Sequence, residues 1–292
     1  MRSSAPSLRA SAAMNFVFHN RIHVIAMGVV IVAFWNQYLQ LPLDTMAYLT
    51  ILGSVLFAYL INMYFDEHED TANAEITPGR VVPRSRNARA MSLSVFTLTW
   101  AAAASHDLGY GMLIVVVMLT SGAYSAPLRI GGKTVRIKTL PYVKNLYAAL
   151  HWSVVLIGLA LAYTGTAPTA LTLLIVGICF GMNYFVELLW DVRDLNGDRQ
   201  TRVMTIPNML GLTASRWLLH ATHLAVCALV IGGMQYGLLP RGFMLIYVHL
   251  AAMLAFTEYY FRLQDKRLAS HLYVLYVCGA LTCISLLDAQ LR

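Results

Sequence analysis

Charge is the scarcest property of this chain. Only 12% of its 292 residues are charged, 14 acidic and 21 basic, whereas 58% are hydrophobic. Soluble domains carry about 25% charged residues, so this composition excludes an ordinary soluble fold. Apolar stretches of about 18–25 residues indicate membrane-spanning helices instead. We therefore predict an all-α, polytopic integral membrane protein with no room for a second, soluble domain.

Cysteine is scarce as well. The four cysteines lie inside predicted spans without the spacing of a metal site, and we interpret them as packing residues. Among the nine histidines, His220 and His223 are three residues apart, but no acid stands near them in sequence. We interpret them as paired or packed histidines and not as metal ligands. Nucleic-acid binding requires a basic surface on a soluble domain, and no such domain is predicted. The net charge of +7 therefore does not indicate nucleic-acid binding, and we exclude a nucleic-acid partner.

The apolar pattern predicts nine spans, and the basic residues predict their orientation. A basic tail over 1–21 precedes a single transmembrane domain over 22–292, with the N-terminus in the cytoplasm. This orientation leaves only Arg241 and Arg292 of the 21 basic residues outside, as the positive-inside rule requires. A bacterial plasma membrane is the first choice, with an organellar inner membrane as the alternative. The spans are 22–41, 45–65, 90–106, 110–128, 145–163, 168–190, 214–236, 242–262 and 268–288.

Acidic residues are concentrated in two short runs. Nine of the 14 acids fall within 66–75 and 187–198, each run at the end of a long apolar stretch. Acids beside a bilayer are costly and mark functional sites. Continued as helix, two sets of side chains each share one helix face: Asn62, Asp66 and Asp70, and Glu187, Asp191, Asp194 and Asp198. Such clusters repel unless a cation lies between them, and hard oxygen ligands suit Mg²⁺ shared with substrate phosphates.

The two runs are related by a constant offset. Asp66 and Asp70 are each 128 residues before an aspartate of the second run, Asp194 and Asp198. Four predicted helices separate the runs. We therefore predict two related four-helix halves facing each other across a central cavity, with the ninth helix appended.

Four motifs follow one another between about residues 59 and 212. They are Asn62-x3-Asp66-x3-Asp70; Arg80-Val-Val-Pro83-Arg-Ser-Arg86; Tyr124-Ser125-Ala-Pro127-Leu-Arg129; and Asp191-x2-Asp194-x3-Asp198-Arg199 followed by Thr205-Ile-Pro207. In this order they resemble motifs of the UbiA superfamily of intramembrane prenyltransferases: N-D-x-x-D-x-x-x-D, R-P-L-P-S-G-R, Y-S-P-P-L-R, and D-x-x-D-x-x-x-D-R with T-L-P. The resemblance implies nine transmembrane helices around a central cavity.

Four positions depart from the family pattern. Met63 replaces the first aspartate, Val81 a proline, Ser85 a glycine and Gly131 a lysine. The first metal site therefore keeps fewer acidic ligands. Glu67 and Glu69 would point away from the Asp66 and Asp70 face on a continuous helix, so we predict them to be solvated.

The resemblance implies the reaction and a role for each residue. An allylic prenyl diphosphate loses pyrophosphate, Mg²⁺ neutralises the leaving group, and the prenyl group passes to a lipophilic, aromatic acceptor. Asn62, Asp66 and Asp70 would hold one metal ion, and Asp191, Asp194 and Asp198 the other. Cations in adjacent segments would bind the diphosphate: Arg129, Lys133, Lys144 and Arg199.

Aromatic side chains beside the acid runs would stabilise the allylic cation and line the prenyl pocket: Phe65, Tyr124, Tyr184 and Trp190. Glu187 would order metal-bound water or take the proton of the acceptor. The expected partners are a prenyl diphosphate, a lipophilic small-molecule acceptor and membrane lipid.

Three alternatives remain open from the sequence. A terpene cyclase and a phosphoryl-sugar transferase would use the same ionising site on the same fold. A divalent-cation transporter also carries paired acids, but transporters place them near the bilayer midplane, whereas these acids stand at helix ends.

Overall fold

The computed structural model describes residues 12–73, 86–201 and 203–291. Helices dominate this part of the chain. Their bounds are α1 Ala12–His19, α2 Ile22–Leu39, α3 Thr45–Phe65, α4 Glu67–Ala72, α5 Arg86–His106, α6 Leu108–Ser125, α7 Val143–Thr164, α8 Ala170–Thr201, α9 Ile206–Gln235, α10 Ile246–Arg262 and α11 Arg267–Leu291.

Each of the nine predicted spans falls on one of the long helices. Among the described residues, eight helices are long and apolar enough to cross a membrane. The helix outside that set is α5, which contains the predicted span 90–106 and packs on α3 and α6. Its Leu93 and Leu98 side chains are 65% and 70% exposed, as on a lipid-facing surface. The all-α membrane fold is confirmed, and the count of nine spans stays a prediction.

The structure also contains one element that the sequence did not predict. A β-hairpin, with β1 Leu128–Ile130 and β2 Lys133–Val135, follows α6 directly. Gly131 and Gly132 form its two-residue turn with φ of 56° and 78°. Both positive values fit a type I′ turn, which favours glycine. This requirement gives a physical reason for glycine at position 131, where the family pattern has lysine.

The helices close into a ring. Apart from the short α4, which packs on α3 and α8, helices that follow one another in the chain pack together from α2 to α11, and α11 packs back on α2. The N-terminal helix α1 lies within the predicted tail and packs against α2, with Phe18 buried. Consequently, the ends of α3, α6 and α8 and the start of α7 surround one mouth of the bundle.

At the opposite end, Asp44 caps α3. Its carboxylate accepts hydrogen bonds from Ala47 N at 3.0 Å and from the Tyr163 hydroxyl at 2.7 Å. These two hydrogen bonds, the backbone bond first, hold the pKa of Asp44 below its usual value. This cap ties the start of α3 to the end of α7.

Candidate active site

A polar cavity opens at the mouth of the bundle. The space inside it, including the part open to solvent, is about 1000 Å³, and most of its lining comes from α3, α4, α6, α7 and α8. Side chains of both acid runs face it: Asn62, Asp66, Asp70, Glu187, Asp191, Asp194 and Asp198. The structure therefore brings together two segments that are more than a hundred residues apart in the chain.

The first acid run bends at Asp66. This residue ends α3 with φ of −103° and ψ of 10°, and α4 begins after it. The helical hydrogen bonds nevertheless continue, since Asp66 N donates to Asn62 O at 2.9 Å and Asp70 N to Asp66 O at 2.8 Å. Asn62, Asp66 and Asp70 consequently remain on the cavity side despite the bend. Asn62 Oδ1 also accepts a hydrogen bond from the Ser125 hydroxyl of α6.

Two basic residues just beyond the hairpin bind the first acid run. Arg136 donates to Asp66 Oδ1 at 2.5 Å, to Glu69 Oε1 at 2.6 Å and to the Ser125 carbonyl at 2.7 Å. Lys138 lies 2.6 Å from Asp66 Oδ1 and also contacts Glu69. Asp66 and Lys138 are both buried. The hairpin thus closes one side of the cavity by ion pairs.

The prediction that Glu69 is solvated is wrong. Its side chain is only 13% exposed, lines the cavity and pairs with Arg136 and Lys138. Arg136 and Lys138, in the segment that follows the hairpin, lie against the helix face that the prediction assigned to water. Glu67 lies in α4, but its side chain lies outside the described part of the structure.

The second acid run continues α8 without a break to Thr201. Asp191 is 1% exposed and accepts from Lys144 Nζ at 2.5 Å and from Asn145 Nδ2 at 2.9 Å. Asp194 pairs with the neighbouring Arg193 at 2.5 Å. One face of a single long helix therefore supplies every acid of this run.

The two runs touch each other at Gly197. A Cβ atom at this position would clash with the Asn73 side chain, so a larger residue would separate α4 from α8. The close approach brings Asp70 and Asp198 to the same mouth. Both carboxylates are buried, with residue exposures of 5% and 4%.

The donor atoms fit a divalent cation. Seven acidic and four basic side chains line the cavity, which leaves an excess of negative charge. Asp198 Oδ2 is buried without a hydrogen-bond partner in the described structure, and Lys144 Nζ is 3.9 Å away. No three acid, histidine or cysteine side chains of the described residues converge on one metal position. A hard cation here would complete its shell with water and substrate oxygens, as Mg²⁺ does.

Aromatic rings cover the cavity wall formed by α6 and α7. Tyr124 stacks on Tyr147 at 5.5 Å, and Tyr147 stacks on His151 at 5.6 Å. Trp152 stacks on Tyr59 of α3 at 5.9 Å. Trp190 also lines the cavity, and the Arg193 guanidinium lies 5.7 Å from its ring.

The structure places some predicted site residues elsewhere. Tyr184 stacks on Phe180 at 6.0 Å and Phe65 packs on Tyr64 at 4.9 Å; neither is among the described cavity-lining residues. Arg129 and Arg199 are exposed and absent from the same wall, and Arg199 donates to Asn208 at 3.1 Å. The Lys133 side chain and the Arg80–Arg86 motif, except the backbone of Arg86, lie outside the described residues.

Other cationic side chains occupy the cavity instead. Arg21, Lys138, Lys144 and Arg193 line it, and only Lys144 was predicted from the sequence. Arg21 precedes α2 in a left-handed conformation with φ of 54°, and its guanidinium reaches Asp70 Oδ1 at 3.4 Å. In the sequence these residues could be recognised only as basic residues beside predicted spans. That property had already been used to predict the orientation in the membrane.

A family model settles the relationship of the chain to known proteins. The model of the UbiA prenyltransferase family matches residues 24–279. The chain belongs to the UbiA prenyltransferase family. Three of its four UbiA-like motifs contribute residues to the cavity lining: the Asn62 run, the Tyr124 segment and the Asp191 run.

One curated relative is the lycopene elongase/hydratase of Corynebacterium glutamicum, with 28% identity over 186 residues. The matched region covers 59% of this chain and 59% of that relative. The apo structure of a UbiA homologue from Aeropyrum pernix K1 has a TM-score of 0.69 at 16% identity, covering 92% of this chain and 98% of that one.

A UbiA homologue from Archaeoglobus fulgidus was solved bound to GPP and Mg²⁺. It has a TM-score of 0.63 at 14% identity, covering 94% of this chain and 99% of that one. These two structural similarities establish the shared UbiA fold. They extend over nearly the whole of each chain.

Proposed function

We propose that this protein is a Mg²⁺-dependent intramembrane prenyltransferase. It would take an isoprenyl group from an allylic prenyl diphosphate and join it to a lipophilic, unsaturated acceptor. The observation that carries the proposal is the junction of a charged cavity with apolar cavities inside the bundle. A prenyl diphosphate has the same division, with an anionic head and a hydrocarbon tail.

The apolar cavities lie deeper in the bundle than the aspartates. One, of about 400 Å³ when space open to solvent is included, shares Tyr59, Trp152, Glu187 and Trp190 with the charged cavity. A second, of about 470 Å³ on the same measure, adjoins the first through Met27, Ile31, Asn183 and Val186. From Glu187 to Cys179, the lining of α8 extends about 12 Å along the helix axis. This path is long enough for a prenyl tail of more than one isoprene unit.

The charged cavity suits the head group. When bound, Mg²⁺ would neutralise the charge that builds up on the leaving pyrophosphate. Asn62, Asp66 and Asp70 on one side and Asp191, Asp194 and Asp198 on the other are the proposed ligands. The binding of GPP and Mg²⁺ by the Archaeoglobus fulgidus homologue supports this assignment.

Basic side chains around the acids would bind the diphosphate oxygens directly. Lys144 and Lys138 are the strongest candidates because both ammonium groups line the cavity and both contact site aspartates. Arg21 reaches the same space from the start of α2. Cations held in place in a partly buried site stabilise developing charge without reorganising during the reaction.

The acceptor would lie against the aromatic wall of Tyr124, Tyr147 and His151. Flat rings offer stacking surfaces to an aromatic or polyene acceptor and π faces to a cation. The relative from Corynebacterium glutamicum, a lycopene elongase/hydratase, supports an acceptor with carbon–carbon double bonds. We include polyenes as well as the aromatic acceptors that the sequence motifs imply.

The experiment uses the purified full-length protein in lipid nanodiscs. It is incubated with Mg²⁺ and GPP, with lycopene, with 4-hydroxybenzoate or with no acceptor, and pyrophosphate release and product mass are measured. We expect fast release only with an acceptor, and a product heavier by one prenyl group. EDTA should abolish release. Rapid formation of a cyclic hydrocarbon without acceptor would instead identify a cyclase.

Variants test the site within the same assay. Asp66→Ala, Asp70→Ala, Asp194→Ala and Asp198→Ala should each lower turnover by at least about 10²-fold. Asp107→Asn is the matched control, since Asp107 lies at the start of α6 and caps it through Tyr110 N at 2.8 Å. Asparagine keeps this cap without the charge. Full turnover in two of the four alanine variants would refute the proposed metal assignment.

A further inference from the structure

Transfer to a carbon acceptor releases a proton, and the cavity holds one histidine on the side where the acceptor would lie. We propose that His151 accepts this proton through Nδ1. The inference rests on the proposed prenyl transfer and adds the residue that completes it. His151 is the only histidine among the described residues that line the cavity.

The hydrogen bonds of His151 favour one tautomer. The Ser121 hydroxyl lies 2.9 Å from His151 Nε2 and 2.8 Å from the Val117 carbonyl, and it has one proton to share between them. A carbonyl can only accept, so we assign this proton to Val117; Ser121 Oγ then accepts from the ring, and His151 Nε2 carries the hydrogen. The unprotonated nitrogen is Nδ1, and within the described structure no side chain or backbone group donates to it.

The imidazole ring is also held in a fixed orientation. It stacks on Tyr147 at 5.6 Å with 9° between the ring planes, and it meets Trp152 edge to face at 5.5 Å. The Tyr147 hydroxyl is anchored to the Thr120 carbonyl at 2.9 Å. A base that is fixed before the acceptor binds needs no reorganisation during proton transfer.

The position of His151 separates it from the diphosphate site. Lys144, His151 and Trp152 lie on one face of α7, and His151 is about 10 Å along the axis from Lys144. The carboxylates of the second acid run face the cavity from α8, where the metal and diphosphate are proposed to bind. Glu187 belongs to that acidic wall, whereas His151 belongs to the aromatic wall. The base therefore lies beside the acceptor rather than beside the leaving group.

Prenyl transfer to a carbon acceptor consists of bond formation, loss of pyrophosphate and loss of a proton. The π electrons of the acceptor form a bond to C1 of the prenyl group, and the C1–O bond breaks with its electron pair leaving on pyrophosphate. The acceptor then carries one positive charge. A neighbouring C–H bond returns its electrons to the π system and gives its proton to His151 Nδ1, which later releases it to water. Without this base, the cation of a polyene acceptor is left to water, which would add a hydroxyl group. An arenium ion would instead give its proton to water, because that restores the aromatic ring.

The test compares His151→Phe and His151→Ala with wild type, using GPP, Mg²⁺ and lycopene, the acceptor whose cation water can trap. We expect the deprotonated transfer product to fall by at least about 10²-fold in both variants, the usual range for a general base. Pyrophosphate release should persist, with prenyl alcohol or hydrated acceptor as the product. Added imidazole should restore the deprotonated product in His151→Ala but not in His151→Phe, which has no space for it.

One control and one rival variant make the result decisive. His106→Phe replaces another stacked histidine, 3.8 Å from the Tyr163 ring and outside the cavity lining, and should leave the product ratio unchanged. Glu187→Gln tests the other candidate base, since a product ratio that falls in this variant and not in the His151 variants would assign the proton to Glu187. Unfolding midpoints with and without GPP show whether each variant folds and binds the donor.

Unchanged product ratios in both folded His151 variants, or a ratio that changes only in Glu187→Gln, would overturn the assignment of His151 while leaving prenyl transfer intact. If wild type transfers the prenyl group to neither lycopene nor 4-hydroxybenzoate and releases pyrophosphate without an acceptor, the proposed transfer itself fails, and the role of His151 with it.

Discussion

Lys144 in the first turn of α7 binds Asp191 of α8, with 2.5 Å between Nζ and Oδ1. Asn145 holds the second oxygen of the same carboxylate at 2.9 Å. The two helices are thereby joined at the mouth of the cavity. A lysine in this position both balances the buried acid and points at the space proposed for the diphosphate.

This pair predicts a double-mutant result. Lys144→Met leaves the buried Asp191 carboxylate without its cation, which should lower the free energy of unfolding by about 3–5 kcal/mol. Lys144→Met with Asp191→Leu should recover most of that loss, because neither charge then remains buried. Thermal unfolding in detergent measures both. Lys266→Met, outside the cavity lining, serves as the control, and equal destabilisation in the single and double variants would contradict the prediction.

Arg136 should be required for both stability and turnover. Its guanidinium joins Asp66, Glu69 and the Ser125 carbonyl, a geometry that an ammonium group does not reproduce. Arg136→Lys should cost about 1.5–3 kcal/mol for each charge-assisted hydrogen bond lost. Unfolding midpoints and pyrophosphate release are the measurements. Thr134→Ala, at an exposed position of the hairpin that precedes Arg136, should match wild type.

Donor length should depend on the apolar cavity beside Gly28. A Cβ atom there would lie 3.2 Å from Val55 Cγ2 and 3.6 Å from Leu156 Cδ2, so Gly28→Val narrows the passage. We expect turnover with GPP to fall by about tenfold relative to turnover with DMAPP, as for an oversized group in a hydrophobic pocket. Gly158→Val, at a position with no atom within 4 Å of the added Cβ, is the control. A parallel loss for both donors would place the tail elsewhere.

Cysteine labelling tests the orientation. In a cysteine-free background, Thr134→Cys and Asn196→Cys should react with a membrane-impermeant thiol reagent only from the cytoplasmic side, because the basic residues favour that side. Thr166→Cys and Tyr236→Cys should react only from the opposite side. All four side chains are exposed at bundle ends. A mixed pattern at either end would mean that a span has been miscounted.

The sequence by itself determined the class of protein and the two acid runs. Apolar runs of spanning length locate most helices within a few residues, because a bilayer demands consecutive apolar residues whatever the tertiary contacts. Local helical periodicity also placed Asp191, Asp194 and Asp198 on one face of α8, and four ordered motifs indicated the family. Lys144 could be predicted because it stands beside a span within that pattern.

Only the tertiary structure decided which other side chains face the acids. Arg21 meets Asp70, and Arg136 meets Asp66, across 49 and 70 residues of chain. The chain bends at Asp66, and the segment after the Gly131–Gly132 turn carries Arg136 and Lys138 to Glu69. Glu69 therefore forms ion pairs, although the helical pattern predicted that it faces water. The proposed role of His151 depends on its hydrogen bond with Ser121, which lies on another helix. Pairings between distant segments depend on how helices pack, and a periodic pattern within one segment records only which face is apolar.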